Sequence, residues 1–256
     1  MKDFPDIFRT RFDDIVCEFI LPARESKKVI ILAAGAPGYP GGKDDLMHFL
    51  SKKGYWVFLP RYRGTWESDG KFLEFSPHED LLHVMDKLST GDFIDLWSGT
   101  SHQIENPEFY LIGGSFGGAA AILASRDPRV VKAATICGVV DWREQEEHSI
   151  ESLEVMSTYV PAAFGQAYRN GPDVWKKLVI GDFYNPAWES ESILGVKLLM
   201  MHNEDDRVVP IEISKKFAEN VAATFVSFKQ GGHRALGVVP EARYWNRIDK
   251  FFRTPR

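Results

Sequence analysis

Apolar positions along this chain follow two alternating rhythms. Short, nearly unbroken apolar runs have the length and composition of strands buried on both faces. They lie at Val29–Ala34, Tyr55–Pro60, Glu108–Gly113, Val131–Val140 and Val196–His202, with further strand patterns at Asp14–Leu21 and Thr224–Lys229. Between them, apolar residues recur every three or four positions. That spacing predicts amphipathic helices over Asp44–Lys53, His78–Ser89, Ile211–Val221 and Glu241–Phe252, and a small-residue helix over Ser115–Ser125. Gly54 stands where the first helix should stop. Strands separated by helices imply parallel pairing through right-handed crossovers. The expected architecture is an α/β fold with a mostly parallel central sheet flanked by helices. In an open sheet of this kind the functional loops sit at the C-terminal ends of the strands.

One stretch breaks the alternation. Between Val140 and Val196 lies a segment far longer than an ordinary connection. Residues 141–190 carry eight aromatics and no strand pattern, and read as a helical cap inserted over the sheet's C-terminal edge. Most of those aromatics are expected to build the cap's own core, with a few facing the cleft beneath. With 256 residues and no linker or repeat, the chain reads as a single domain, 1–256, that includes this insertion.

Composition narrows the functional classes. The net charge of -5 comes without a long single-sign run, so neither a nucleic acid nor an anionic membrane is an expected partner. The two cysteines, Cys17 and Cys137, are too few for a disulfide framework and match no zinc spacing. The opening residues Met1–Asp6 are charged and broken by a proline, unlike a secretory signal, and no apolar run approaches 18 residues. A cytoplasmic protein without a membrane span is the expectation. No metal or cofactor is expected either. His78 and His83 are five apart where the zincin pattern needs four, and counting back from Gly42-Lys43 puts Pro37 where a phosphate-binding loop needs its first glycine.

The residues that carry chemistry follow strands. Gly113-Gly114-Ser115-Phe116-Gly117 matches G-x-S-x-G, between an apolar strand and a small-residue helix. Such a turn exposes the central hydroxyl above the sheet at a helix N-terminus, which favours developing negative charge. Ser115 is the candidate nucleophile. Gly35-Ala36-Pro37-Gly38 follows an early buried strand, where bare backbone N–H groups can meet an oxyanion; Ala36 and Phe116 are the candidate donors. Late in the chain, Glu204, Asp205 and Asp206 compete for the acid that orients an imidazole. Asp206 is preferred, Glu204 and Asp205 read as solvated loop charges, and Asp141 at another strand end is a rival. His202 reads as structural. His233 follows Gly231-Gly232 after the last strand and is the candidate general base. The chain order Ser115, Asp206, His233 is that of α/β-hydrolases.

These segments, with Arg61-Tyr62-Arg63-Gly64-Thr65, Val139-Val140-Asp141-Trp142-Arg143 and His202-Asn203-Glu204-Asp205-Asp206-Arg207-Val208-Val209-Pro210, resemble the catalytic domain of the prolyl-oligopeptidase family (serine peptidase family S9) and its stand-alone esterase-like relatives. The resemblance runs from about Val29 to the C-terminus and implies the α/β-hydrolase fold. There are departures. The family's usual His-Gly-Gly-Pro reads Ala34-Gly35-Ala36-Pro37, and Asn203 stands where glycine is usual. The N-terminal β-propeller of the full-length peptidases has no counterpart in the residues before Val29. The leading expectation is therefore cleavage of a small-molecule carboxylic ester, or a small amide, through an acyl-enzyme. The alternatives are an S9-like peptidase acting on short peptides, and a non-catalytic binding protein that keeps the fold.

Overall fold

A computed structural model describes residues 7–150, 152–171 and 173–255; the segment Met1–Asp6, read above as unlike a secretory signal, lies outside them. The strands are β1 (Phe8–Phe12), β2 (Ile15–Ile20), β3 (Lys28–Ala33), β4 (Trp56–Pro60), β5 (Phe93–Ile94), β6 (Ser101–His102), β7 (Glu108–Gly114), β8 (Val130–Ile136), β9 (Leu198–Asn203) and β10 (Thr224–Phe228). The α-helices are α1 (Asp44–Lys52), α2 (Pro77–Thr90), α3 (Phe116–Ala124), α4 (Trp142–His148), α5 (Leu153–Phe164), α6 (Ile211–Asn220) and α7 (Ala242–Phe252). Eight strands form one sheet in the order β1-β2-β4-β3-β7-β8-β9-β10, antiparallel at β1–β2 and β2–β4 and parallel elsewhere.

Successive side chains on a strand feed opposite cores. On β3, Val29, Ile31 and Ala33 join one cluster with α2 and α3, while Ile30 and Leu32 join another with α1 and α7. This two-sided burial is why the central strands read as continuous apolar runs rather than as alternation. Helix α1 carries the chain from β3 outward to β4, and α2 brings it back to β7 on the other side of β3. The winding therefore reverses between β3 and β7, and a crevice opens beyond their C-terminal ends. Ala33 and Gly113, the last paired residues of β3 and β7, are neighbours across that crevice.

Helix α3 is buried along all nine residues because the sheet, α2 and the segment following β8 enclose it. Only glycine fits where it enters. A Cβ on Gly117 would lie 2.1 Å from the Ala33 carbonyl oxygen, and one on Gly118 would lie 2.4 Å from the Gly138 Cα. The second contact also ends β8 early: Cys137 turns to a φ of 47° and Gly138 passes against α3, so the strand stops at Ile136 rather than running to Val140. Helix α2 starts one residue earlier than the apolar pattern indicates, because Pro77 takes the first helical position and Ser76 the cap. The segment between β8 and β9 holds α4, α5 and four short 3₁₀ helices, and no strand among its described residues. No helix among the described residues is long and apolar enough to cross a membrane.

Gly117→Ala should cost about 3 kcal/mol of stability, through overpacking against a backbone oxygen that cannot move aside. The measurement is the urea midpoint at unchanged slope. Gly91→Ala, where a methyl group meets nothing, is the control and should stay near the parent. A Gly117→Ala midpoint equal to the parent's would refute the close approach.

Candidate active site

Ser115 caps α3 with φ 52° and ψ -125°, a conformation that L-residues rarely adopt and that costs of order 1–3 kcal/mol. Three backbone hydrogen bonds hold it there. Its N–H donates to Ile136 O at 3.1 Å, and its own carbonyl accepts from Gly118 N at 2.9 Å and Val139 N at 3.1 Å. The turn stands the side chain over the C-terminal edge of the sheet at the start of α3.

The structure brings Ser115, His233 and Asp206 together in one hydrogen-bonded line. Ser115 Oγ lies 2.9 Å from His233 Nε2, and His233 Nδ1 lies 2.9 Å from Asp206 Oδ2. A carboxylate only accepts, so Nδ1 carries the hydrogen and Nε2 is left to accept the serine hydroxyl proton. The other Asp206 oxygen, Oδ1, accepts from the Val208 and Val209 N–H groups at 2.9 Å each. Burial by itself would raise the Asp206 pKa. Hydrogen bonds from His202, His233 and the Val209 N–H outweigh it and hold the carboxyl well below the usual range.

The rival acids lie elsewhere. Asp141 caps α4, accepting from Arg143 N–H at 3.0 Å. Glu204 accepts from the Ser227 hydroxyl at 2.8 Å. Asp205 is exposed but does more than solvate the loop: it accepts from Gly231 N at 3.2 Å and Gly232 N at 2.7 Å, fixing the backbone just before His233. These two bonds lower its pKa.

Further residues support this line, the first of them His202, read from the sequence as structural. His202 Nε2 donates to Val209 O at 2.8 Å and lies 3.4 Å from Asp206 Oδ2, so it braces the acid loop from β9. Asn203, next along the strand, donates through Nδ2 to Gly232 O at 2.8 Å and accepts from Tyr244 Oη at 3.1 Å. The residue that departs from the family's usual glycine thus ties the histidine loop to α7. The departure itself was the one available signal. On the far side, the Gly38 N–H donates to Tyr168 Oη at 2.8 Å, and the Trp66 indole donates to Gly38 O at 3.0 Å. Tyr168 comes from the segment after β8, so that segment holds the loop carrying Ala36. Gly35 packs directly on the serine: a Cβ there would sit 3.4 Å from Ser115 Cβ. Phe116 is the first residue of α3, so its N–H has no carbonyl four residues back to bind. No hydrogen bond among the described residues takes the Ala36 N–H.

Cys137, His202 and Asp206 each offer a possible ligand atom, all within 4.8 Å of one another. Their chemistry does not suit a cation. Burial pushes the Cys137 thiol up to about 12, which keeps it protonated, and His202 and Asp206 already hold the hydrogen bonds described.

A cleft of about 340 Å³ opens beside Ser115, walled by the loop of Gly35, Ala36 and Tyr39 and by Trp66, Tyr168 and His233. Lys43 and Arg61 also reach it, so it is more polar than the aromatic content of residues 141–190 leads one to expect. Arg61 is committed to ion pairs with Glu18, at 2.6 Å, and with Glu67.

A doubly covered, mostly parallel sheet that sets a serine on a strained turn above its switch point defines an α/β hydrolase. A model of the alpha/beta hydrolase family matches residues 30–244, and the chain belongs to that family. Among characterised proteins it is similar to lysophosphatidylserine lipase ABHD12 of Gallus gallus, 31% identical over 211 residues that make up 80% of this chain and 50% of that protein. The Danio rerio protein of the same name is 25% identical over 247 residues, 91% of this chain and 60% of that one. The chain thus spans about half the length of these relatives. In fold it resembles acylaminoacyl peptidase of Pyrococcus horikoshii, at a TM-score of 0.63 and 17% identity over 96% of this chain and 40% of that one. It also resembles an esterase of Pyrococcus furiosus, at a TM-score of 0.69 and 15% identity over 96% of this chain and 90% of that one.

The depressed pKa of Asp206 has a consequence for stability. Its ionised form contributes fully above the unfolded carboxylate value of about 3.9, and the contribution is lost as pH falls through the lower folded value. The stability gap between the parent and Asp206→Asn, from urea unfolding, should be constant from pH 7 to about 5 and close below about 4. A gap that widens toward acid would contradict the assignment of these hydrogen bonds.

Proposed function

We propose that this protein is a serine hydrolase that cleaves carboxylic esters through an acyl-enzyme, with Ser115 as nucleophile, His233 as general base and acid, and Asp206 as the orienting carboxylate. The carrying observation is the unbroken line of 2.9 Å contacts from Ser115 Oγ through the imidazole to a carboxylate. A hydroxyl is a poor nucleophile until a base takes its proton as it attacks. His233 Nε2 is within reach of that proton, and the charge then forming on the ring faces Asp206 Oδ2. Attack joins Oγ to the carbonyl carbon and moves an electron pair onto the carbonyl oxygen. The Ala36 and Phe116 N–H groups and the N-terminus of α3 would receive that oxyanion. Collapse breaks the bond to the leaving oxygen, which takes the proton from His233. Water, deprotonated by the same imidazole, then bonds to the acyl carbon; collapse breaks the bond to Ser115 Oγ, which takes the proton back from His233 as the acid leaves.

The residues 141–190 act in this reading as a cap that closes one side of the site. Several observations favour an ester over a peptide. The 31% identical chicken protein is a lipase by name. The cleft walls include Tyr39, Trp66 and Tyr168, and Arg61, one of the two cations that reach the cleft, is held by two carboxylates, which leaves Lys43 as the single cation for a peptide terminus to meet. Acylaminoacyl peptidase shares the fold at low identity, which keeps cleavage of short peptides as the second reading.

Ser115→Ala should abolish covalent labelling by an organophosphonate and lower turnover at least about a thousandfold with an unchanged circular dichroism spectrum. Labelling retained at the parent rate would remove Ser115 from its role. For substrate class, each rate should be divided by the uncatalysed rate of the same compound. On that scale short acyl p-nitrophenyl esters should exceed aminoacyl and prolyl anilides by about tenfold or more, or roughly 1.4 kcal/mol. A larger enhancement for an anilide than for every ester would put the peptidase in place of the esterase.

A further inference from the structure

The cleft beside Ser115 has the opposite charge to the protein around it. The chain carries a net charge of -5, yet the cleft wall includes Lys43, Arg61 and His233 and, among the described residues, no aspartate or glutamate. Asp206 lies behind the imidazole with its side chain fully buried. A cleft whose wall holds charge of one sign concentrates ligands of the other.

Most polar side chains in that wall are already engaged within the protein. Tyr62 Oη donates to Ala34 O at 2.9 Å, and Thr65 Oγ1 donates to Tyr62 O at 2.7 Å. Trp66 and Tyr168 are bound to Gly38, and Arg61 is paired with Glu18 and Glu67. Besides Ser115 and His233, that leaves Lys43 and the exposed Tyr39, and of these two only Lys43 is charged. Lys43 is half-buried at the start of α1. Among the described residues Lys27, Lys87, Lys176 and Lys216 form ion pairs, and Lys43 does not. Asp44 and Asp45 follow it in sequence, but both are exposed and neither is part of the cleft wall. Lysine is a compact charge on a flexible stem, able to follow an anion that enters beside it.

The ester-hydrolase reading, on which this inference rests, places that anion. His233 must protonate the leaving oxygen, and Lys43 belongs to the same cleft wall as His233. We propose that Lys43 is a specificity residue that binds an anionic group carried by the leaving alcohol, so that the preferred substrate is an ester with one negative charge. One uncommitted cation matches one such charge. A cavity of about 150 Å³ admits benzene, so a cleft of about 340 Å³ has room for a ring bearing a carboxylate.

The test compares acetate release from 4-acetoxybenzoate and from its methyl ester, which differ by one negative charge on the leaving phenol. Each kcat/KM is divided by the uncatalysed rate of the same compound. The anion should be favoured about fivefold, the upper range for a partly exposed ion pair, with the gain in KM. Raising the ionic strength from about 0.01 M to about 1 M shortens the screening length from about 30 Å to about 3 Å and should erode the preference. Lys43→Met should bring the ratio to about one, Lys43→Arg should keep it, and Lys43→Glu should invert it. Lys250→Met, at an exposed lysine of α7 outside the cleft, should leave the parent's ratio. Reading the ratio of two substrates cancels any general loss of activity in a variant. p-Nitrophenyl hydrogen glutarate against its methyl ester moves the charge to the acyl half and should show no such preference. A parent ratio near one, a ratio unmoved in Lys43→Met, or a preference confined to the glutarate pair overturns the proposal and leaves the ester hydrolase standing. Failure of every ester, with no labelling of Ser115 by an organophosphonate, removes both.

Discussion

The left-handed backbone of Ser115 is the constraint on which the rest of the site depends. It is an unfavourable conformation, and it persists because the surroundings leave no other. The serine N–H and carbonyl are bound to Ile136, Gly118 and Val139, so both flanks of the turn are tied to β8 and to the loop after it. Helix α3 is pressed against the ends of β3 and β8 so closely that Gly117 and Gly118 admit no side chain. The turn is thus held by four elements, and a shift in any of them moves the hydroxyl.

The partners of Ser115 are positioned by a different device. His202 and Asn203 are adjacent on β9, so their side chains leave opposite faces of the sheet. His202 braces the loop of Asp206 through Val209 O, and Asn203 braces the loop of His233 through Gly232 O. One strand end therefore sets the separation of Asp206 and His233. Asp205 adds a direct bond between the two loops. The line from Ser115 to Asp206 is short because each member is held from behind, not only because the three attract one another.

The sheet and its helices were legible because burial on two faces leaves a strong mark on sequence, as in Val29–Ala34 and Phe109–Ile112. Ser115, Asp206 and His233 were legible because each follows a strand with small residues or turn formers around it. Strand β1 was not read. Phe8, Thr10 and Phe12 face the core and Arg9 and Arg11 face outward, a half-buried edge with weak apolar content, followed by the Asp13-Asp14 turn. That alternation and turn were the available signal. The end of β8 was misplaced because the apolar run continues past Ile136, and the reason it stops, a backbone contact between Gly138 and Gly118, links residues 20 apart. That Tyr168 binds Gly38, and that Asn203, visible only as a departure from glycine, binds Gly232, could not be read for the same reason: a tether across the fold has no period and no local signature.

The bond between Tyr168 and Gly38 changes how access to the site should be pictured. Tyr168, in the segment that follows β8, is hydrogen-bonded to the loop that carries Ala36, so displacing that segment would break this tie and slacken the loop beside Ser115. While that bond holds, the cleft beside Ser115 keeps the width that Tyr39, Trp66, Tyr168 and Gly237 give it. An opening of fixed width sorts what enters it by the rate of threading and not by the energy of prising a lid.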